Sequence, residues 1–251
     1  MTHIIARDTG PRARHRTFDD RGTGGGPVRV LMPAVAEAFG TLGLTYITVL
    51  VLTAGGPGLF GNGTKNLLAV ALAQGLTVAV LVSATATVAS VTLNPAITAT
   101  LWATGRLSGV QTGCNVTGQF TGAIVGGLLA RASLAGGDIA GGIPRLRPGV
   151  AFGQGALVET LLTFLLVSVV LGTEADYRAS GRLAGLSMGA AIAMGVLAGG
   201  PLTGAAMNPA RWVGPALAQG SFPNGWVYLL GPLAGALIAG LLWQHVFLRR
   251  R

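Results

Sequence analysis

The sequence predicts an all-α integral membrane protein of six transmembrane helices and two half-helices, arranged as an inverted repeat of three plus three. Three observations predict it. Hydrophobic residues make up 51% of the 251-residue chain and charged residues only 10%, well under half the quarter or so usual in a soluble domain. Six apolar stretches each supply the roughly 20 residues needed to cross about 30 Å of hydrocarbon as a helix. The tripeptide Asn-Pro-Ala also occurs twice, once in each half of the chain and each time after an apolar stretch.

The six spans are read at Leu31–Leu52, Asn66–Val88, Val110–Ala132, Val150–Leu171, Leu183–Pro201 and Trp226–Phe247. Many of the 41 glycines fall inside them. In a soluble helix each would weaken the structure, but in lipid small residues let helix backbones approach closely. An even number of spans puts both termini on one side. Twelve Lys and Arg residues fall on that side and four (Lys65, Arg131, Arg145 and Arg147) on the other, with Arg211 set apart. The excess places both termini in the cytoplasm, and the protein is expected in a plasma (inner) membrane. Residues 1–28 hold Gly, Pro, Arg and Asp without an apolar core, so they read as a disordered basic cytoplasmic tail and not as a secretory signal.

Several function classes are excluded. The net charge of +9 comes largely from arginines flanking the spans, the place of topogenic charge, so no nucleic-acid partner is expected. Cys114 is the one cysteine, and His3, His15 and His245 all lie near the chain ends, so neither a metal nor another cofactor is implied. Gly185-Leu186-Ser187-Met188-Gly189 matches the nucleophile-elbow pattern of hydrolases, but it lies inside a span with no histidine partner. It reads instead as a small-residue packing face, and no enzyme is expected.

The chain repeats itself. Ala36-Glu37 opens the first span and Val158-Glu159 lies near the start of the fourth; Gly118-Gln119-Phe120-Thr121-Gly122-Ala123 in the third resembles Gly231-Pro232-Leu233-Ala234-Gly235-Ala236 in the sixth. Asn94-Pro95-Ala96 follows the second span and Asn208-Pro209-Ala210 the fifth. With three spans per half, the second half enters the membrane inverted. Asparagine is a preferred N-cap and proline suits the first helical turn. Each triplet thus starts a short helix, roughly Pro95–Thr104 and Pro209–Ala218. Ten residues reach about 15 Å, half the hydrocarbon thickness, so the two meet tip to tip at the midplane. Arg211, one turn into the second, is a charge at membrane depth and by default a functional residue.

On Ala36-Glu37, Asn94-Pro95-Ala96-Ile97-Thr98, Thr117-Gly118-Gln119, Glu159, Met207-Asn208-Pro209-Ala210-Arg211 and Gly214-Pro215-Ala216, residues 36–247 resemble the aquaporin, or major intrinsic protein, family. The resemblance implies a channel domain over residues 29–251 (repeat one about 29–133, repeat two about 150–248), a homotetramer in the lipid bilayer, and a pore in each subunit for water or small neutral solutes. It implies that Asn94 and Asn208 donate to a permeating oxygen, and that Glu37 and Glu159 are scaffold acids bonding the half-helix loops. It also implies a selectivity filter of four residues. These are Arg211, Ala205 three before Asn208, Val196 twelve before it, and Gln74 twenty before Asn94. That set has neither the aromatic nor the histidine of strict water channels, so a wider opening is expected, admitting glycerol, urea or metalloid hydroxides. Other positions differ from the family's branches. Trp212 stands where glycerol facilitators carry Asp, Thr92 replaces a common histidine, and Tyr228-Leu229 resembles the nodulin-type branch. A secondary transporter shares inverted repeats and broken helices and is the alternative.

Overall fold

A computed structural model describes residues 27–54, 67–175 and 183–248. Eight α-helices follow in order among the described residues: α1 (Pro27–Ala54), α2 (Leu67–Thr85), α3 (Pro95–Ala103), α4 (Gly109–Ser133), α5 (Phe152–Ala175), α6 (Ala184–Thr203), α7 (Pro209–Gln219) and α8 (Gly225–Leu242). A π-helical turn, Trp243–Phe247, extends α8.

All six expected spans are present, with shifted edges. α1 begins at Pro27, so residues 27 and 28 belong to a helix and not to the expected tail. The rest of that tail, together with Asn66, Lys65, Arg178 and Arg182, lies outside the described residues. α5 continues to Ala175, beyond the expected end at Leu171, because apolar Gly172 and polar Thr173 still permit helix and no proline follows. Five of the six long helices are apolar enough by composition alone to cross a membrane. The exception, α4, turns Gln111, Asn115 and Gln119 inward, where they are buried. Its polarity therefore faces protein. Elsewhere the outer faces are greasy at helical spacing: Leu68, Leu72, Leu76 and Val80 on α2, and Leu157, Leu161 and Leu165 on α5, are exposed, as a lipid-facing stripe requires.

Packing follows the internal repeat. α1 lies on α4, α5 lies on α8, and α2 crosses α6 at the centre, each through glycine. In the first pair, a Cβ at Gly118 or Gly122 would strike the backbone oxygens of Ala34 and Ala38; in the second, one at Gly235 would strike that of Thr160. The half-helices exchange partners. α7 rests on α4 of the first repeat, where an added Cβ at Gly127 would sit 3.0 Å from Ala218 Cβ, and α3 rests on α8, with Gly240 against Thr100 and Thr104.

At the central crossing, a Cβ on Gly75 would lie 2.6 Å from the Gly189 carbonyl oxygen, and one on Gly185 2.7 Å from that of Ala79. The small-residue face expected at Gly185 and Gly189 is the α2–α6 contact. Gly189→Val is therefore expected to force α2 and α6 apart, since the obstacle is Gly75 backbone and not a flexible side chain. Size-exclusion chromatography in detergent checks this: the variant should lose most of its monodisperse peak.

Residues 134–151, between α4 and α5, fold back over the bundle where α1 ends, with Gly142 packed on Val49. This segment is tied down by side chains. Gln219 receives Ile139 N–H at 3.0 Å and donates to Asp138 at 3.0 Å, and Asn224 accepts from Leu146 N–H at 3.2 Å.

Candidate functional site

The two Asn-Pro-Ala triplets cap α3 and α7 in near-identical geometry. Asn94 has φ −153° and ψ 114°, Asn208 has φ −156° and ψ 113°, and a proline follows each in the first helical turn. Asn94 Oδ1 accepts from Ala96 N–H at 3.0 Å, and Asn208 Oδ1 accepts from Ala210 N–H at 2.9 Å. The amide nitrogens reach across the pseudo-twofold axis. Asn94 Nδ2 donates to Met207 O at 2.8 Å, and Asn208 Nδ2 donates to Leu93 O at 2.7 Å. Each side-chain amide carries two N–H donors, so one of each remains for the cavity that both asparagines line.

The carbonyls that receive those bonds belong to strained residues. Leu93 and Met207, directly before the asparagines, have φ 54° and 51°, a left-handed conformation costly for a bulky side chain. Two buried carboxylates hold them there. Glu37 accepts from Thr92 N–H at 2.8 Å and from Leu93 N–H at 2.7 Å. Glu159 accepts from Ala206 N–H at 3.0 Å and from Met207 N–H at 2.7 Å. Both glutamates are fully buried. Sequence reasoning did not find the residues supporting them. Thr203 Oγ1 donates to Glu159 at 2.6 Å, and the Tyr228 hydroxyl donates to Thr203 O at 2.7 Å. Gln119 Nε2 donates to Thr92 and Thr98 at 2.9 and 2.8 Å, and Thr92 Oγ1 donates to Glu37 at 3.0 Å. The one available signal was polar residues on the inner faces of apolar helices.

Three of the four expected filter residues line one cavity. Arg211, 4% exposed, donates from Nε to Gln74 Oε1 at 3.0 Å, although the two are far apart in sequence. Arg211 Nη1 and Gln74 Nε2 are buried donors with no partner among the described residues. Val196 lines the same cavity as this pair, a vestibule of about 600 Å³ whose walls also include Ile143, Pro144, Arg145 and Arg147. Beyond Gln74 and Arg211 lies a second cavity of about 10 Å³, lined by both asparagines and by Leu44, Val78, Ile97, Leu166, Met188 and Ile192. That is about the smallest space that holds one water. Gln74 and Arg211 line both cavities and so form the constriction between them.

Ala205 lines neither cavity. It is fully buried, with φ 45°, its N–H donates to Thr203 Oγ1 at 3.1 Å, and its methyl lies towards Gly199. The neighbouring Ala206 lines the narrow passage instead.

A family model, Major intrinsic protein, matches residues 27–243. The chain is 42% identical to Aquaporin TIP4-4 of Zea mays over 189 residues, 75% of each protein. It is 35% identical to Aquaporin NIP1-1 of Zea mays over 238 residues, 94% of this chain and 82% of that one. Among solved structures, the aquaglyceroporin from Plasmodium falciparum has the same fold, with a TM-score of 0.75 at 21% identity, covering 87% of this chain and 97% of that one. A match running from the first described helix to the end of the last, on a bundle built around paired Asn-Pro-Ala helix starts, makes this chain a member of the major intrinsic protein family, whose proteins are membrane channels and not enzymes.

Proposed function

We propose that the chain forms a passive pore for water and small neutral solutes such as glycerol, urea or metalloid hydroxides, and that the pore excludes protons and cations. The observation carrying this reading is the pair of buried, unpartnered donors at the constriction, Arg211 Nη1 and Gln74 Nε2. A buried donor without an acceptor costs about 1–3 kcal/mol, and a solute oxygen passing between the cavities removes that cost. Val196 supplies an apolar wall to the cavity on the vestibule side of the constriction, suiting solutes that carry both hydroxyls and carbon.

Farther in, the spare amide protons of Asn94 and Asn208 take up the same oxygen. The facing N-termini of α3 and α7 add about half a positive charge each. A permeating oxygen is therefore met by donors at every polar point, while a cation meets Arg211 and two helix dipoles. Glu37 and Glu159 act as scaffold acids. Each accepts three hydrogen bonds from backbone N–H and hydroxyl donors, which supports a scaffold role over that of a coupling residue in a secondary transporter. The subunits form a homotetramer in a plasma membrane, with both termini cytoplasmic, on the strength of the charge asymmetry and the family resemblance.

The test is stopped-flow light scattering on proteoliposomes with water, glycerol, urea and arsenite. A channel gives non-saturating flux with a low activation energy; flux of every solute equal to that of bare lipid would remove the reading. Val196→Phe adds a ring to the apolar wall beside Arg211 and Gln74. It is expected to cut glycerol and urea flux several-fold more than water flux in the same assay. An equal loss of all three would show that Val196 does not set the aperture.

A further inference from the structure

We propose that the vestibule is a binding site for a small dissolved oxyanion, such as phosphate, sulfate or a carboxylate, and that the bound anion blocks entry of neutral solutes from that face. The proposal rests on the pore reading above, because the block requires the vestibule to be the pore mouth. Among the described residues its walls carry three guanidinium groups, Arg145, Arg147 and Arg211, and no carboxylate. A cleft lined by one sign of charge between low-dielectric walls focuses its field and concentrates counter-ions.

The two outer arginines stand on a fixed segment. Arg147 N–H donates to Leu202 O at 3.0 Å, Leu146 N–H to Asn224 Oδ1 at 3.2 Å, and Pro144 packs where a Cβ on Gly204 would lie 3.2 Å from its Cα. The Arg145 guanidinium donates to Ala140 O, which anchors its plane while leaving other N–H groups uncommitted. The Arg147 side chain makes no hydrogen bond or ion pair with any described residue. At the floor, Arg211 Nη1 and Gln74 Nε2 are buried and unpartnered. The nearest described acid in sequence, Asp138, already accepts from Ala140 N–H at 2.9 Å and from Gln219 Nε2 at 3.0 Å, and it is not in the vestibule wall.

Guanidinium forks match the planar and tetrahedral oxygens of carboxylates and phosphates. Such an anion cannot continue inward. The next cavity is about 10 Å³, room for about one water and too small for a phosphate, sulfate or carboxylate. It stays in the mouth.

The probe is inorganic phosphate, with chloride at equal ionic strength and osmolality as the control. Two readouts are needed: titration calorimetry on the full-length protein in detergent, and urea flux from proteoliposomes carrying the same buffer on both sides, each variant normalised to its own flux in chloride. Saturable binding and a several-fold fall in flux are expected, half-maximal at roughly 1–10 mM, the range of a few charge-assisted hydrogen bonds set against water. Arg145→Gln combined with Arg147→Gln should abolish both effects, while Arg147→Lys, which keeps the charge, should retain most of each. Absence of binding, inhibition that persists in the double glutamine variant, or binding with undiminished flux would each overturn the proposal. Because calorimetry does not depend on flux, a protein that binds phosphate but conducts nothing would overturn the pore reading and the block while leaving the binding site in place.

Discussion

Glu159→Leu is expected to give a protein that no longer folds to a stable bundle, with flux at the level of bare lipid. Leucine matches the volume of the carboxylate side chain but accepts nothing. It would strand the N–H groups of Ala206 and Met207 and the hydroxyl of Thr203, all bonded to Glu159 within 3.0 Å. At about 1–3 kcal/mol for each buried group left unmade, the loss is roughly 3–9 kcal/mol, comparable to the whole stability of many domains. The damage concentrates on Met207, whose left-handed backbone would have no compensating bond at its N–H. Its carbonyl, the acceptor for Asn94 Nδ2, would move with it, and the first triplet would lose its anchor as well. Thermal unfolding in detergent measures the effect. At about 2–4 °C per kcal/mol for a chain of this size, a fall of more than about 10 °C is expected; a variant melting within a few degrees of the parent would show that the loop is held by something other than the carboxylate. Glu37→Leu should behave alike, with Thr92, Leu93 and Asn208 in the corresponding roles.

Part of this arrangement was readable in the sequence, and the boundary between what was and was not readable has a physical cause. Asn94 and Asn208 were legible because N-capping is a local property: the residue, the proline after it and the short apolar run suffice. Gln74 and Val196 were reached by counting back from Asn94 and Asn208, and both line the vestibule together with Arg211. Ala205 lies beyond the end of α6. Between Thr203 and Asn208 the backbone turns through positive φ at Gly204, Ala205 and Met207, a local path set by the bonds to Glu159 that sequence spacing does not display, and Ala206 is the residue of this turn that lines the narrow passage beside Met207. The cross-bonding of each asparagine to the other half was equally hidden, since it joins residues more than a hundred positions apart through one amide proton each. The polar face of α4 could be seen in the sequence, but its partners could not. Gln119 bonds Thr92 and Thr98, a contact set by how closely Gly118 and Gly122 let α4 approach α1.

Arg211→Ala is expected to raise leakage of monovalent cations or protons by tenfold or more while neutral-solute flux persists. The guanidinium sits at the only constriction between the two cavities described, 4% exposed, where little water screens it. For a cation about 4 Å away at an effective dielectric constant near 20, the repulsion is about 4 kcal/mol. Each 1.4 kcal/mol is about tenfold in rate, so a tenfold change needs only about a third of that repulsion. Alanine also frees Gln74, whose Oε1 now accepts from Arg211 Nε, and so widens the aperture. The variant should therefore pass urea and glycerol at least as fast as the parent. Conductance in a planar bilayer, alongside pH-dye quenching in proteoliposomes under a potassium diffusion potential, separates charge from size. Arg211→Lys keeps the charge with a different shape and should stay tight to cations. Unchanged conductance in the alanine variant would place the ion barrier at the facing ends of α3 and α7, where Asn94 and Asn208 cap the two helices and their dipoles converge.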